Sequence, residues 1–259
     1  MAIAKRLAAE FIGTALLLAI GGGAAIAARR LAAGDAAMAL LVSALVGATG
    51  LAVLILAFGG ISGGLFNPVL TLSEAWRGKL RADHVAPYIV AQAAGALAGV
   101  AAVHGMYGLD LMALPRVASG GSGQWLGEFV ATFGLLCVFI GCGRARPVVA
   151  PFAVSAYVMA ASWFSSSTAF MNPALTVARA IGEAGALRLA DAPAFVLAQL
   201  AGAAAATAIF TWLHGAARGA TTVRCRRERR CRSRLATPSP VPCRSIAPGH
   251  RGRGTAWRW

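Results

Sequence analysis

The sequence predicts an all-α membrane protein with six transmembrane helices, two re-entrant half-helices and an inverted repeat. The first of three supporting observations is composition: the 259 residues are 58% hydrophobic and 13% charged, with a mean hydropathy of +0.68. A soluble domain carries about 25% charged residues. At about 20 residues per span plus loops, this length holds about six spans. The other two observations are a pair of Asn-Pro segments and a repetition of short motifs between the two halves.

Six long apolar segments are the predicted transmembrane helices. They cover about residues 7–28, 37–58, 85–107, 124–143, 148–164 and 192–214. The segment 108–123 contains Pro115 and a Ser-Gly-Gly-Ser-Gly run, which predicts a loop between the halves. We therefore expect a membrane domain at residues 1–215, with repeat one at about 5–107 and repeat two at about 124–214.

Two Asn-Pro segments interrupt this pattern, each where a run of small residues meets an apolar stretch. Asn is a strong N-cap, and Pro at the first helical position loses no hydrogen bond. Asn67 and Asn172 should therefore each begin a helix inside the membrane, ending near residues 76 and 181. About ten residues at 1.5 Å per residue span roughly 15 Å, half of a hydrocarbon core of about 30 Å. Each segment is thus predicted to be a half-helix.

The two halves repeat each other and have opposite predicted orientations. Residues 10–14 resemble 128–132, and residues 91–96 resemble 198–203. Because each half has three full spans, an odd number, the second half enters the membrane from the opposite side. Sites in such inverted repeats lie near the midplane, at broken helices. The basic residues at 5, 6, 77, 79, 81, 144 and 146 fall on one side with the tail. The positive-inside rule makes that side cytoplasmic, with both termini, in a multi-pass protein of the plasma (inner) membrane.

The converging half-helices predict a narrow, wet path through the protein. Irregular backbone is tolerated at this depth only where protein or a water-filled cavity satisfies it. Two positive helix ends at the centre would oppose cations. The residues predicted at the pore centre are Asn67, Pro68, Val69, Asn172, Pro173 and Ala174. The loop residues predicted to line the path with carbonyls are Gly59, Gly60, Ile61, Ser62, Gly63, Gly64, Ser166, Ser167 and Thr168.

Two carboxylates within the spans have a predicted structural role. A carboxylate in the membrane is costly and usually functional. We nevertheless expect Glu10 and Glu128 to support the re-entrant loops by accepting hydrogen bonds from their backbones. Gln92 and Gln199 are expected to link helices rather than line the pore.

The paired Asn67-Pro68-Val69 and Asn172-Pro173-Ala174 motifs, with the repeated Glu-Phe and Gln-x-x-Gly motifs, resemble the aquaporin (major intrinsic protein) family. The resemblance covers roughly residues 5–215. It implies an aquaporin-like channel domain with one pore per subunit and a homotetramer in the lipid bilayer. It also implies passive conduction of water or small uncharged solutes, with no enzymatic activity. We expect no cofactor and no metal, because the histidines are scattered and the five cysteines have no metal-ligand spacing.

The chain departs from the family pattern at the outer constriction, the selectivity filter. The family usually has Arg directly after the second Asn-Pro box, whereas this chain has Leu175. The resemblance places the other filter positions at Gly47, Ala160 and Ala169, with Trp163 or Phe164 as alternatives to Ala160. Such a wide, apolar filter predicts passage of bulkier neutral solutes, such as glycerol-like polyols or metalloid hydroxides. For Arg179, one turn further on, two positions remain open: at the pore mouth or packed against the loop.

The last 44 residues differ from the rest of the chain. The net charge is +15, and half of the 24 Lys and Arg lie at or after Arg218. Residues 216–259 are rich in Arg, Pro, Ser and Gly, so we expect a disordered tail and no nucleic-acid partner. An ion-coupled secondary transporter of a small polar solute is the alternative function, because inverted repeats with broken helices also form transporters.

Overall fold

The structure is a computed structural model that describes residues 2–109, 120–181 and 187–234, with side chains to residue 213. Its described residues contain helices and no strand, so the all-α prediction is confirmed. The helices are α1 (Ile3–Leu31), α2 (Ala36–Ser62), α3 (Pro68–Trp76), α4 (Ala82–Tyr107), α5 (Ser122–Ala145), α6 (Ala150–Phe164), α7 (Pro173–Ile181) and α8 (Ala192–Arg234). Five of them are long and apolar enough to cross a membrane, and α6 is a shorter apolar helix.

The half-helices α3 and α7 begin where their sequences predict. Asn67 caps α3, because its side chain accepts a hydrogen bond from the backbone N–H of Val69. Proline occupies the first position of each helix. Each half-helix has nine residues and is thus about 14 Å long at 1.5 Å per residue, too short to cross a membrane alone.

The helix α2 extends further than the sequence predicts. We expected a loop from Gly59, but α2 continues to Ser62 and ends at Gly63, whose φ of 104° is left-handed. The N–H of Gly63 donates to the carbonyl of Gly59. Glycine adopts this conformation without a steric penalty. The first two glycines therefore remain helical, and the third terminates the helix.

Helix packing in the second half repeats that in the first. Helix α1 packs on α2 and α4, and α5 packs correspondingly on α6 and α8. Each half-helix packs on helices of both halves, since α3 contacts α4 and α8, and α7 contacts α8 and α4. Helices α2 and α6 also pack on each other, as do α3 and α7. The fold is therefore a paired repeat whose two halves meet around the half-helices.

Glycines allow the closest of these helix contacts. A Cβ added at Gly95 of α4 would overlap the carbonyl of Phe11 on α1. At the corresponding place in the second repeat, a Cβ at Gly202 of α8 would overlap the carbonyl of Phe129 on α5. Small residues let membrane helices approach until their backbones touch. The repeated Gln-x-x-Gly motif thus sets the spacing of the helices that surround the half-helices.

The end of the chain differs from the expected tail. Helix α8 continues to Arg234, so residues 216–234 are helical where we expected disorder. Arg and Ala favour helices, and the first proline after α8 is Pro238. The remaining expected tail, residues 235–259, and most of the predicted loop at 108–123 lie outside the described residues.

Candidate functional site

A continuous cavity of about 440 Å³ runs between the two repeats. Both half-helices, the loops before them and the facing sides of α1, α2, α5 and α6 contribute to its lining. At one end it reaches Arg29, Ala36 and Arg179, which we term the Arg179 mouth. At the other end it reaches Lys79 and Ala150, which we term the Lys79 mouth. The cavity therefore connects the two ends of the helix assembly.

The two Asn side chains join the repeats at the middle of this cavity. Asn67 Nδ2 donates to the carbonyl of Met171 at 2.8 Å, and Asn172 Nδ2 donates to the carbonyl of Phe66 at 2.8 Å. The Oδ1 atom of each Asn accepts from the backbone N–H two residues later, at 3.0 Å in both repeats. Each amide has two N–H donors, so one remains on each Asn for a molecule in the cavity.

The residue before each Asn, whose carbonyl accepts one of these bonds, has a strained backbone. Phe66 and Met171 have φ values of 50° and 51°, in the left-handed region that residues with a Cβ rarely adopt. Such a conformation costs about 1–2 kcal/mol and persists where surrounding contacts enforce it. In both loops it accompanies a carbonyl that accepts from the Asn of the other repeat. The two strained residues thus supply the acceptors of the hydrogen bonds that join the repeats.

Glu10 accepts hydrogen bonds from the loop that precedes α3, which we term the first loop. Its Oε1 atom accepts from Ser62 Oγ at 2.6 Å and from the backbone N–H of Leu65 at 3.1 Å. Its Oε2 atom accepts from the backbone N–H of Phe66 at 2.7 Å and from Gln92 Nε2 at 2.8 Å. The side chain is fully buried. Four donors thus surround a carboxylate that accepts hydrogen bonds at both oxygens.

Glu128 makes the corresponding contacts in the second repeat. It accepts from the backbone N–H groups of Phe170 and Met171 at 2.8 and 2.9 Å. Gln199 Nε2 donates to it at 2.7 Å and also to Thr176 Oγ1 at 2.8 Å. Helices α5, α7 and α8 and the second loop therefore share one buried network.

One face of each half-helix lines the cavity. On α3 and its cap this face carries Asn67, Leu70 and Glu74, and on α7 it carries Asn172, Leu175 and Arg179. Both sets have spacings of three and four residues, which place side chains on one side of a helix. The position that is acidic in the first repeat is therefore basic in the second.

The two mouths of the cavity differ in how their charges are paired. At the Lys79 mouth, Glu74 forms ion pairs with Arg77 and Lys79. Burial lowers the pKa of Lys79, and the charge of Glu74 opposes this shift. At the Arg179 mouth, the guanidinium carbon lies 5.4 Å from the centre of the Phe170 ring. Among the described residues, the guanidinium group at this end of the cavity has no acidic partner.

Comparisons with known proteins identify the family. A sequence model described as Major intrinsic protein matches residues 1–144. Aquaglyceroporin AqpS of Rhizobium meliloti (strain 1021) is 39% identical over 212 residues, covering 82% of this chain and 91% of that protein. The chain belongs to the major intrinsic protein family. It is accordingly a multi-pass membrane protein and a passive channel for water and small uncharged solutes.

Further relatives of this major intrinsic protein agree in sequence and fold. Aquaporin Z of Bradyrhizobium diazoefficiens is 31% identical over 231 residues, covering 81% of this chain and 93% of that protein. The X-ray structure of the aquaglyceroporin from Plasmodium falciparum matches with a TM-score of 0.63 at 19% identity. That match covers 81% of this chain and 96% of the other, and it shows a shared fold.

Some residues predicted at the channel centre do not line the cavity. Asn67 and Asn172 do, whereas Pro68, Val69, Pro173 and Ala174 are absent from its lining. Val69 packs in the main hydrophobic core, and Ala174 packs in a smaller cluster with Leu18. The physical reason is helical rotation, since these positions lie on the opposite side of α3 and α7 from the cavity stripe.

The predicted carbonyl-lining residues also need correction. Gly59, Gly60, Ile61 and Ser62 belong to α2 and are absent from the cavity lining. The carbonyl of Gly59 accepts from the N–H of Gly63, and that of Ser62 accepts from the Tyr88 hydroxyl. Gly63 and Gly64 line the channel cavity, as does Thr168. Ser166 and Ser167 do not, and the carbonyl of Ser167 accepts a hydrogen bond from Thr168 Oγ1.

Three of the four predicted filter residues line the channel cavity: Gly47, Ala169 and Leu175. Ala160 does not, since it lies on the exposed side of α6. Trp163 and Phe164, the alternatives, are about half exposed and also lie off the cavity. The cavity face of α6 instead consists of Pro151, Val154, Val158 and Ser162. A helix turns about 100° per residue, so an error of two residues in spacing moves a position to the other side.

Arg179 is the functional residue that sequence reasoning left undecided. The structure places it at the channel mouth. Its spacing of four residues from Leu175 indicates the same face of α7, and this spacing was the sequence signal for its position. Arg29 and Phe170, which also line this mouth, had no such signal, because they belong to α1 and to a loop. Among the described residues, no group of three or more His, Cys, Asp or Glu could hold a metal ion.

Proposed function

We propose that this channel passes glycerol-sized neutral solutes alongside water. The observation that carries the proposal is the lining between the Asn pair and the Arg179 mouth, which includes Gly47, Ser162, Ala169 and Leu175. None of these four side chains is aromatic or charged. A Cβ added at Gly47 would meet no atom within 4 Å, so the cavity is open beside it.

The chemistry of this lining determines which solutes are excluded. Water selectivity needs a narrow constriction with a fixed hydrogen-bond donor, because both size and geometry then reject larger molecules. Leu175 supplies neither a donor nor a charge. We therefore extend the proposal to neutral molecules of similar size, the trihydroxy metalloids. The names of two similar proteins, both aquaglyceroporins, agree with a polyol substrate.

The Asn pair would orient solutes at the centre of the path. The second N–H of Asn67 and of Asn172 would donate to a passing hydroxyl or water oxygen. Carbonyls of the loop residues on either side would accept its hydrogens. A neutral molecule with several hydroxyl groups thus exchanges its hydrogen bonds with water for bonds with the pore.

We further propose the arrangement of the protein in the cell. Residues 1–215 would form the channel domain, with the Lys79 mouth and both termini at the cytoplasmic face of the inner membrane. The basic residues Lys5, Arg77 and Arg144 support this orientation through the positive-inside rule. Four copies would assemble as a homotetramer, each with its own pore, as the family resemblance implies.

The test is stopped-flow shrinkage and swelling of proteoliposomes with water and glycerol as permeants. Wild-type vesicles should pass glycerol faster than empty vesicles. Leu175→Arg should reduce the glycerol permeability by about five- to 150-fold if the narrowed path costs glycerol one hydrogen bond, about 1–3 kcal/mol. The water permeability should fall less, because a smaller molecule still fits.

The matched control is Leu175→Met, which keeps the side chain apolar and nearly conserves its volume. It should retain the wild-type ratio of glycerol to water permeability. A wild-type protein that passes only water would refute the proposed substrate class. Equal losses of both permeabilities in Leu175→Arg would show that residue 175 does not set the size limit.

A further inference from the structure

Arg179 occupies a defined place in the pore, beyond the apolar filter. It is four residues after Leu175 on the cavity face of α7, about 6 Å further along the helix axis. Its guanidinium group faces the Phe170 ring on one side. On another side Gly21 leaves room for it, since a Cβ there would lie 3.4 Å from Arg179 Nη2. Two packed surfaces thus hold the charged group at the mouth.

The charge of Arg179 has no acidic counterpart in the described part of the chain. No hydrogen bond or ion pair joins it to a described side chain, whereas Glu74, its equivalent in the first repeat, pairs with Arg77 and Lys79. Arg29, the other charged residue of the Arg179 mouth, is also positive. Both charged residues that line this mouth in the described part of the chain are therefore positive.

We infer that Arg179 is the cation barrier of this pore and that it acts at a different level from the size filter. At Leu175 the pore excludes solutes by their size alone. One turn further along α7, Arg179 excludes cations by its charge. This separation lets bulky neutral solutes pass while cations are repelled. The inference rests on the proposed wide pore, because a pore that also closed at Leu175 would need no separate barrier.

The size of the effect follows from Coulomb's law. A unit charge about 6 Å from a cation, at an effective dielectric constant of about 20, disfavours the cation by about a hundredfold. The N-termini of α3 and α7 also oppose cations, but each carries only about half a charge. Arg29 is exposed to solvent, so its field is more strongly screened. Removing the Arg179 charge should therefore weaken cation exclusion markedly.

The experiment compares sodium entry with water permeability in the same proteoliposomes. Sodium entry is followed with an entrapped sodium-sensitive dye, and water permeability by stopped-flow light scattering. In Arg179→Leu and in Arg179→Gln, the ratio of sodium to water permeability should rise by about ten- to a hundredfold. Arg179→Lys keeps the charge and should keep the ratio within about threefold of wild type.

Arg30→Leu is the matched control, because Arg30 is adjacent to Arg29 but stacks on Tyr107 and does not line the cavity. Its ratio should equal that of wild type. The inference is overturned if both neutral variants of Arg179 conduct water and exclude sodium as wild type does. It is also overturned if Arg30→Leu shows the same rise. Glycerol permeability of the wild type is measured separately. A failure of the proposed substrate class is therefore distinguishable from a failure of the inference about Arg179.

Discussion

Replacing Glu10 by Gln tests whether a buried carboxylate holds the first loop. A glutamine has one acceptor oxygen, so whichever way its amide is turned, the NH2 group faces the backbone N–H of Leu65 or of Phe66. A buried N–H without an acceptor costs about 1–3 kcal/mol. The remaining bonds also weaken, because they are no longer charge-assisted. We expect a total loss of about 2–4 kcal/mol in the free energy of unfolding.

The measurement is thermal unfolding of the detergent-solubilised protein, where each kcal/mol lowers Tm by about 2–4 °C in a chain of this size. Asp35→Asn is the matched control, because Asp35 is an exposed N-cap whose carboxylate accepts from the N–H of Met38. Asn caps a helix about as well as Asp, so this variant should lose only a few tenths of a kcal/mol. If Glu10→Gln unfolds at the temperature of Asp35→Asn, the loop does not depend on the carboxylate.

Two further predictions concern the centre of the pore and the packing of the helices. Asn172→Asp places a carboxylate oxygen against the backbone carbonyl of Phe66. The water permeability measured by stopped-flow should therefore fall at least about threefold. An unchanged permeability would contradict the role of the Asn pair. Gly95→Val should reduce the yield of folded protein in size-exclusion chromatography, because its side chain overlaps Phe11 and overpacking costs about 1–3 kcal/mol. Gly105→Val on the same helix meets open space and should fold normally, and equal yields would refute the close contact.

Sequence reasoning located the helices well because their signals are local. Long apolar stretches define spans through the thickness of the bilayer, and an Asn-Pro pair followed by an apolar stretch predicts the start of a helix. The paired motifs also predicted that the halves would enclose a path containing Asn67 and Asn172, and both side chains line the cavity.

The predictions were wrong where they depended on which side of a helix faces the cavity or on where a helix ends. Spacing predicted Ala160, with Trp163 or Phe164 as alternatives, whereas the packing of α6 places Ser162 at the cavity instead. The helix α2 could have ended at any of several glycines. The later end is accompanied by two hydrogen bonds: the Tyr88 hydroxyl donates to the carbonyl of Ser62, and Ser62 Oγ donates to Glu10. These choices depend on contacts between segments far apart in the chain, which a single sequence does not display.

The crossed bonds between the loops have a consequence for synthesis. Asn67 and its acceptor Met171 are 104 residues apart, and Asn172 and its acceptor Phe66 are 106 apart. At about 5–20 residues per second, the ribosome needs about 5–20 s to make the intervening chain. Throughout that interval the first half-helix lacks its partner, and Glu10, already made, supplies acceptors for the N–H groups of its loop. The acceptors of these N–H groups thus come from the first repeat itself, whereas the Asn bonds need both repeats.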